Sequence, residues 1–281
     1  MIRLAVRVER AHAEAALAEL LVFSPGGLEE VDIDAATIEY VLYGARGELP
    51  TLPTLEASVG EGFVTVRTSE IADDWPERWR EFHRPVVVAQ RLHVCAPWHP
   101  RSRNDGLIDI VIEPGQAFGT GAHATSRMCL ELLVGLERAG VAHGSLLDVG
   151  CGSGILAIAA AKLGFDPVVA LDNDSACTEA ACANATANGA LIDVRAADLR
   201  RDAMPPARTV VANLLLAPLL LLSERLEHRP ARLIASGLLV EQGDEVAREL
   251  SVRHGLREAA RMLDGDWLAM LFAAAGASVS L

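Results

Sequence analysis

The fold is decided by the stretch Leu146-Leu-Asp-Val-Gly-Cys-Gly-Ser-Gly154 and the alanine-rich segment after it, Ile155 to Leu163. The apolar run before the glycines predicts a buried strand, and the segment after them predicts a helix. Glycines at such a turn let a ligand approach the backbone closely, and the amides of the first helical turn can hold negative charge. Asp172 ends the next predicted strand, where a carboxylate can accept both hydroxyls of a ribose. We therefore predict a nucleoside-containing cofactor at the carboxyl edge of a sheet.

Helices and strands alternate regularly on both sides of this turn. Helices are predicted at Thr125 to Arg138, Ile155 to Leu163 and Ser175 to Asn188, and strands at Ser145 to Val149, Val168 to Leu171, Asp193 to Ala196, Thr209 to Ala212 and Arg232 to Ser236. Ser175 is the predicted N-cap of its helix, and Gly189 its end. The alternation predicts an α/β fold with a doubly wound, mostly parallel sheet. Residues 261–272, around the turn Asp264-Gly-Asp266, predict a terminal hairpin.

The first 66 residues predict a small α+β domain. Leu4, Val6 and Val8 alternate with polar or small residues as in a half-buried strand. A helix at Ala11 to Val22 that ends at Ser24-Pro-Gly-Gly27, a strand at Thr37 to Tyr43, a short helix at Thr51 to Glu56 and a strand at Phe63 to Arg67 follow. Four arginines against eleven acids give this part a net charge of 4 − 11 = −7, which is either a solvated surface or a docking face for a cationic protein.

A connector is predicted between the two domains. Trp75, Trp79 and Phe82 fall on one face of a helix that spans Asp73 to His83, with Pro76 in its first turn. We read this stripe as packing against the larger domain. The predicted organisation is a recognition domain at 1–66, a connector helix and linker at 67–90, and a catalytic domain at 91–281.

Composition excludes several classes of function. The chain is 51% hydrophobic with a mean hydropathy of +0.26, which excludes intrinsic disorder. A net charge of −13 disfavours direct binding to nucleic acid or to anionic membranes. The five cysteines match no zinc pattern and no signal peptide is recognisable, so we expect a reduced, cytoplasmic setting without a metal site. The longest apolar run, Val210 to Leu222, is too short and too interrupted to span a membrane.

The glycine turn resembles motif I of class I S-adenosylmethionine-dependent methyltransferases. Its spacing is Gly150-Cys-Gly152-Ser-Gly154 after Asp148, whereas dinucleotide-binding loops have G-x-G-x-x-G. The wider resemblance is to the bacterial methyltransferases of ribosomal protein L11, and it covers essentially the whole chain. It rests on Glu113 to Leu130, with its Phe118-Gly-Thr-Gly-x-His123 element, on Asp148 to Gly164, on Val210-Val-Ala-Asn213 and on Ser236-Gly237.

This resemblance implies a seven-stranded methyltransferase sheet with a C-terminal hairpin, a small ferredoxin-like N-terminal domain that recognises the protein substrate, and S-adenosylmethionine as cofactor. Position by position, it implies cofactor contacts at Ser126, Gly150, Gly152, Gly154 and Asp172, and a contact of Asn213 with both cofactor and incoming amine. The implied reaction is methylation of lysine side-chain and N-terminal amines on a basic ribosomal protein by a monomeric enzyme.

Such a reaction needs orientation, desolvation and a route for the amine proton rather than a strong base, because the cofactor is already activated. The amide oxygen of Asn213 could accept N–H bonds from the amine. His123 is either catalytic or a structural residue that braces the glycine turn, Cys151 is a packed neighbour of the cofactor, and Asp198 either contacts the adenine or is solvated.

Two positions depart from the family pattern. Ala124 replaces the usual proline, and Pro206-Ala-Arg-Thr209 lacks the aspartate that normally leads into that strand. Three alternatives stay open. The substrate could be a lysine of another protein, such as an electron-transfer flavoprotein, or it could be a small metabolite. The third alternative is a nicotinamide-dependent oxidoreductase or a non-catalytic nucleotide-binding module, which would need the G-x-G-x-x-G spacing that is missing here.

Overall fold

The computed structural model describes residues 2–13, 16, 20, 29–34, 36–44, 55–59, 62–70, 83–114, 119 and 121–277. The chain divides into two compact units, one formed by residues 1–82 with 116–118 and the other by residues 83–115 with 119–281. In the described part of the chain, no helix is both long and apolar enough to cross a membrane.

The first unit contains an antiparallel sheet. Its strands are β1 (Ile2–Glu9), β2 (Glu29–Asp32), β3 (Thr37–Gly44), β4 (Leu55–Val59) and β5 (Gly62–Glu70), in the order β2-β3-β1-β5-β4. A 3-10 turn, Arg10–His12, follows β1. The predicted strand is confirmed, with Leu4, Val6 and Val8 buried and Arg7 exposed, but the alternation is incomplete because Ala5 is buried as well. Glu39 in β3 is also buried, and the guanidinium groups of Arg3 and Arg7 on the neighbouring strand neutralise its charge.

One local prediction in this unit is wrong. Residues 55 and 56, predicted as the end of a short helix, begin strand β4, because pairing with β5 satisfies their backbone groups and overrides local propensity. Of the predicted helix, Ala11 and His12 belong to the 3-10 turn, Ala13, Ala16 and Leu20 are helical, and the other residues lie outside the described part of the chain. The turn at 24–27 and the connector helix with Trp75, Trp79 and Phe82 also lie outside it, except for His83, which lies in a bend. Strand β5 extends to Glu70, beyond the boundary predicted at residue 66.

The second unit begins with a small three-stranded sheet. Strand β6 (Val86–Val88) pairs antiparallel with β7 (Leu92–Cys95), and β7 pairs parallel with β8 (Ile108–Val111).

The predicted doubly wound sheet is confirmed in the rest of this unit. Its strands are β9 (Leu146–Val149), β10 (Val168–Asp172), β11 (Asp193–Ala196), β12 (Thr209–Asn213), β13 (Arg232–Leu239), β14 (Leu256–Asp264) and β15 (Trp267–Ala274), and its helices are α1 (Ala124–Arg138), α2 (Ile155–Lys162), α3 (Ser175–Asn188), α4 (Leu216–Arg225) and α5 (Gly243–His254). A 3-10 turn, Val240–Gln242, precedes α5. The strand order is β11-β10-β9-β12-β13-β15-β14. Strand β15 pairs antiparallel with both β13 and β14, and with β14 it forms the predicted terminal hairpin. The other described strand pairs of this sheet are parallel.

Alternate residues of the central strands point into two separate cores. Leu146 and Val211 belong to the core beneath α1, α2 and α3, whereas Leu147 and Val210 belong to the core beneath α4 and α5. Because both faces are covered, the strands are apolar on both sides, as parallel sheets require. The carboxyl ends of β9, β10 and β12 therefore meet at one edge, where the glycine turn leaves the sheet.

The ends of α3 refine the capping prediction. Asp174, not Ser175, is the N-cap, and its carboxylate accepts a hydrogen bond from the backbone N–H of Ala176 at 2.8 Å. Aspartate caps well because its charge also suits the helix dipole. Gly189 ends the helix in the left-handed conformation, as predicted.

Candidate active site

The glycine turn after β9 can be built only from glycine at its key positions. Gly150, Gly152 and Gly154 have φ angles of +74°, +51° and +80°. A Cβ on Gly150 would lie 2.4 Å from Cδ2 of Leu214, and one on Gly154 would lie 3.0 Å from Cβ of Ala181. The turn thus brings bare backbone to the sheet edge while neighbouring side chains pack directly on it.

Asp172 fixes this turn from the next strand. The backbone N–H of Gly152 donates to Oδ2 of Asp172 at 2.9 Å, and the N–H of Asp174 donates to Oδ1 at 3.0 Å. The residue is 8% exposed. A carboxylate oxygen has two lone pairs, so both oxygens keep acceptor capacity for a ligand beside the turn.

A cavity of about 300 Å³ lies against these residues. This is the lower end of the range for small-molecule sites. Its lining combines four polar side chains with a mostly apolar wall, and consists of Val149, Gly150, Leu171, Asp172, Asn173, Ala197, Asp198, Leu199, Arg200, Met204, Leu214, Ala217, Pro218 and Leu221. Two predicted cofactor residues, Gly150 and Asp172, therefore line one cavity.

Asp198 lies in the cavity wall and is also ion-paired. The backbone N–H of Arg200 donates to its Oδ1, and this bond is the main cause of a lowered pKa for the Asp198 carboxyl. The guanidinium of Arg201 binds Oδ2 at 2.9 Å. Asp198 is thus a cavity-lining carboxylate held by Arg200 and Arg201, and its contact with the adenine stays a prediction.

Asp148 lies beneath the turn and is fully buried. Its Oδ2 accepts the backbone N–H of Ala157 in α2 at 3.0 Å, whereas its Oδ1 has no hydrogen-bond partner in the described structure. Burial raises the pKa of this carboxyl to about 7, and the charge of Asp172 acts in the same direction.

A second group of polar side chains lies where β12 meets α1. Nδ2 of Asn213 donates to Oγ1 of Thr125 at 3.2 Å and lies 3.5 Å from Oγ of Ser126. Both hydroxyl residues are 1% exposed. The structure therefore brings Asn213 and Ser126, two predicted site residues, together, while Leu214 next along the chain lines the cavity described above.

His123 is the N-cap of α1 rather than a brace for the glycine turn. Its Nδ1 accepts from the backbone N–H of Thr125 at 3.3 Å and lies 2.8 Å from the hydroxyl of the same residue. The ring packs edge-on against Trp267, with centroids 5.0 Å apart. Burial, followed by the charge of Arg127, lowers the pKa of His123 to about 4, while Asp264 acts in the opposite direction.

The braces of the turn are two residues that sequence reasoning missed. The hydroxyl of Ser153 donates to the carbonyl of Gly119 at 2.6 Å, and Nδ2 of Asn184 donates to the carbonyl of Ser153 at 2.9 Å. Oδ1 of Asn184 accepts from the backbone N–H of Glu113. The sequence did carry one indication, because Asn184 lies in the middle of a predicted helix. Asparagine is unfavourable at such a position unless its side chain has a tertiary partner.

Cys151 is a buried thiol. Burial, with the nearby charge of Asp148, raises its pKa far above neutrality, so the thiolate does not form at physiological pH. This agrees with a packing role. Among the described residues, no three or more histidine, cysteine or acidic side chains are grouped so that they could hold a metal ion.

Known proteins resemble this chain along most of its length. Residues 29–275 match the family described as ribosomal protein L11 methyltransferase (PrmA). A ribosomal protein L11 methyltransferase of Exiguobacterium is 34% identical over 82% of this chain and 74% of its own length. One from Symbiobacterium thermophilum is 38% identical over 71% of this chain and 65% of its own length.

The same similarity appears among solved structures. The ribosomal protein L11 methylase of Lactobacillus delbrueckii subsp. bulgaricus superposes with a TM-score of 0.61 and 29% sequence identity, over 68% of this chain and 99% of that one. The strand order and the glycine turn at the sheet edge agree with this relationship. On these matches, the chain belongs to the ribosomal protein L11 methyltransferase family.

Proposed function

We propose that this protein transfers methyl groups from S-adenosylmethionine to amines of ribosomal protein L11. The observation that carries the proposal is the arrangement at one sheet edge, where a nucleoside-sized cavity and an amide that can receive an amine meet at consecutive residues. Asp172 lines the cavity, Asn213 presents the amide, and Leu214 belongs to the cavity wall. Family membership supplies the substrate class.

The residues present fit the cofactor. The packing of Leu214 at Gly150 leaves no room for a side chain, and Gly150 lines the cavity. Asp172 would hold the ribose hydroxyls with its remaining lone pairs, and the apolar wall with Met204 and Leu221 suits a flat base. We assign Gly152, Gly154 and Ser126 to the same cofactor site, the two glycines through the shape of the turn and Ser126 through its hydroxyl.

Asn213 performs the orienting work on the amine. When bound, S-adenosylmethionine supplies a methyl group that is already activated by its sulfonium. Because Nδ2 of Asn213 is held by Thr125, Oδ1 is the amide atom left to accept an N–H bond from a neutral amine. That bond turns the nitrogen lone pair away from Asn213, and the amine proton can leave to water without a strong base.

The first domain is proposed to recognise L11. Residues 1–66 carry a net charge of −7, which complements a basic ribosomal protein. Residues 67–90 would connect this domain to the catalytic domain at 91–281. Because the remaining chain is also acidic, the substrate is proposed to be bound through its protein surface rather than through RNA. We propose that the enzyme acts as a monomer in the cytoplasm on lysine side-chain and N-terminal amines.

The deciding experiment uses the full-length enzyme, unmodified L11 and radiolabelled S-adenosylmethionine, followed by mass spectrometry of L11. We expect labelled methyl groups on specific amines with the wild-type enzyme and none with Asp172→Ala. Transfer to an electron-transfer flavoprotein or to a small metabolite, with L11 unlabelled by a folded enzyme, would reject the proposal in favour of those substrates. Tight binding of NAD without a response to S-adenosylhomocysteine would reject the whole class.

The docking role has a separate test. Glu9 and Asp34 are exposed acids of the first unit. Reversing both to arginine should raise KM for L11 several-fold and weaken its salt dependence, with kcat and S-adenosylhomocysteine affinity unchanged. An unchanged KM would remove these two acids from the docking face.

A further inference from the structure

His123 is half-buried at the start of α1, in contact with Thr125, and the mechanism above does not use it. Its Nδ1 accepts the backbone N–H of Thr125, so this nitrogen carries a lone pair and the ring proton lies on Nε2. The burial that lowers the pKa of His123 to about 4 keeps the ring neutral at pH 7. Of the charged groups that act on it, Arg127 of α1 favours this neutral form and Asp264 of β14 opposes it.

The lone pair of His123 fixes the direction of the next hydrogen bond. The hydroxyl of Thr125 lies 2.8 Å from Nδ1, and only the hydroxyl can supply the hydrogen between these two atoms. With its hydrogen directed to His123, Oγ1 of Thr125 offers only lone pairs on its other side. It therefore accepts from Nδ2 of Asn213 at 3.2 Å.

From this chain of contacts we infer that His123 and Thr125 are positioning residues that hold the Asn213 amide with its oxygen toward the incoming amine. The inference rests on the proposed function. If the Thr125 hydrogen were free to turn toward Asn213, the amide could rotate and present its NH₂ group instead. Two donors would then face each other, and the amine would lose the acceptor that orients its lone pair.

The principal variant is Thr125→Val, which keeps the shape of the side chain and removes its hydroxyl. We expect kcat for L11 methylation to fall by roughly 10- to 100-fold, while KM for S-adenosylmethionine and the affinity for S-adenosylhomocysteine change by less than about twofold. Thr125→Ser keeps the hydroxyl and should restore most of the rate. Unchanged kcat in Thr125→Val would overturn the inference.

A double-mutant cycle separates positioning from a general structural effect. In an Asn213→Ala background, Thr125→Val should have almost no additional effect on kcat, because the group that it positions is gone. If the two effects multiply instead, Thr125 acts independently of Asn213 and the inference is wrong. His123→Asn should retain activity, because the asparagine oxygen can take the place of Nδ1 as acceptor, whereas His123→Leu should behave like Thr125→Val.

A measurement on the wild-type protein does not depend on whether any variant folds. The ring ¹⁵N chemical shifts of His123 at pH 7, assigned with His123→Asn, should show a bare Nδ1 and a protonated Nε2. A protonated Nδ1 would overturn the inference directly. The proposed function fails separately, through a wild-type enzyme that binds S-adenosylhomocysteine but does not label L11.

Discussion

Asp172 accepts a hydrogen bond from the backbone N–H of Gly152 at 2.9 Å, so the carboxylate assigned to the ribose also sets the shape of the glycine turn. One side chain thereby links the strand β10 to the loop after β9. We therefore expect Asp172 to contribute more to cofactor binding than its own contact with the ribose.

Asp172→Asn is expected to weaken binding of S-adenosylhomocysteine by at least about tenfold, because bonds to a charged acceptor are lost on both sides of the residue. Calorimetric titration measures this change. Asp105→Asn, in an exposed turn far along the chain, is the matched control and should bind like the wild type. Equal affinity of Asp172→Asn and the wild-type protein would contradict the ribose assignment.

Gly237 supports the segment that carries Asn213. Its φ angle is +80°, and a Cβ there would lie 2.6 Å from the carbonyl oxygen of Leu214. Gly237→Ala must displace this backbone, so we expect a loss of about 2 kcal/mol or more in the free energy of unfolding and at least tenfold in kcat.

Gly140→Ala separates strain from displacement. Gly140 has a φ angle of +69° but no neighbour within 4 Å of a Cβ. It should lose about 1–2 kcal/mol of stability and keep its kcat. If both variants had wild-type kcat in urea-free activity assays, the contact between Gly237 and Leu214 would have no part in placing Asn213.

The buried Asp148 predicts a pH-dependent stability. Its pKa is raised to about 7 from an ordinary value of 3.8, so the folded protein binds this proton more tightly than the unfolded chain. The stabilisation of the folded state by this proton is complete below about pH 4 and is lost as the pH rises to about 7. The free energy of unfolding changes by at most about 1.4 kcal/mol per pH unit in this range.

Urea unfolding of wild type and Asp148→Asn at pH 5 and pH 8 measures this effect. The free energy of unfolding of the wild type, relative to that of Asp148→Asn, should be lower at pH 8 than at pH 5, because only the wild type loses a buried proton. A difference that is independent of pH would show that Asp148 is already ionised at pH 5.

Arg208 and Arg232 are an unfavourable pair of cations at the amino ends of β12 and β13. Arg232 is 4% exposed, its Nε and Nη1 have no hydrogen-bond partner in the described structure, and burial followed by the charge of Arg208 lowers its pKa. Arg208 directly precedes strand β12. Arg208→Asp should raise the melting temperature by roughly 2–4 °C, because it replaces repulsion with attraction. Arg208→Ala is the control with a smaller gain, and a lower melting temperature for Arg208→Asp than for Arg208→Ala would contradict this account.

Those features that are local in sequence could be predicted. The strand, glycine turn and helix around residues 146–163 follow from consecutive residues, and Asp172 follows because the chain returns to the same sheet edge after one helix. Strand β4 was missed because its conformation is set by pairing with β5, which local propensity does not report.

Contacts between distant segments could not be predicted in the same way. Asn213 and Thr125 are 88 positions apart, and Asn184 and Ser153 are 31 positions apart. Nothing in the spacing of these residues indicates that they meet, because their approach depends on how α1 and α3 pack on the sheet. The N-cap role of His123, by contrast, rests on a contact with Thr125 only two positions away.

Leu214 has a consequence for how this enzyme can change during evolution. The side chain packs on the turn at Gly150, the backbone packs on Gly237, and the preceding residue is Asn213. Selection for a new acceptor molecule that acts at this position will at the same time disturb the wall of the methyl-donor pocket. Substrate preference can therefore diverge more easily through surfaces remote from Leu214, where a substitution changes recognition of the acceptor without changing binding of the methyl donor.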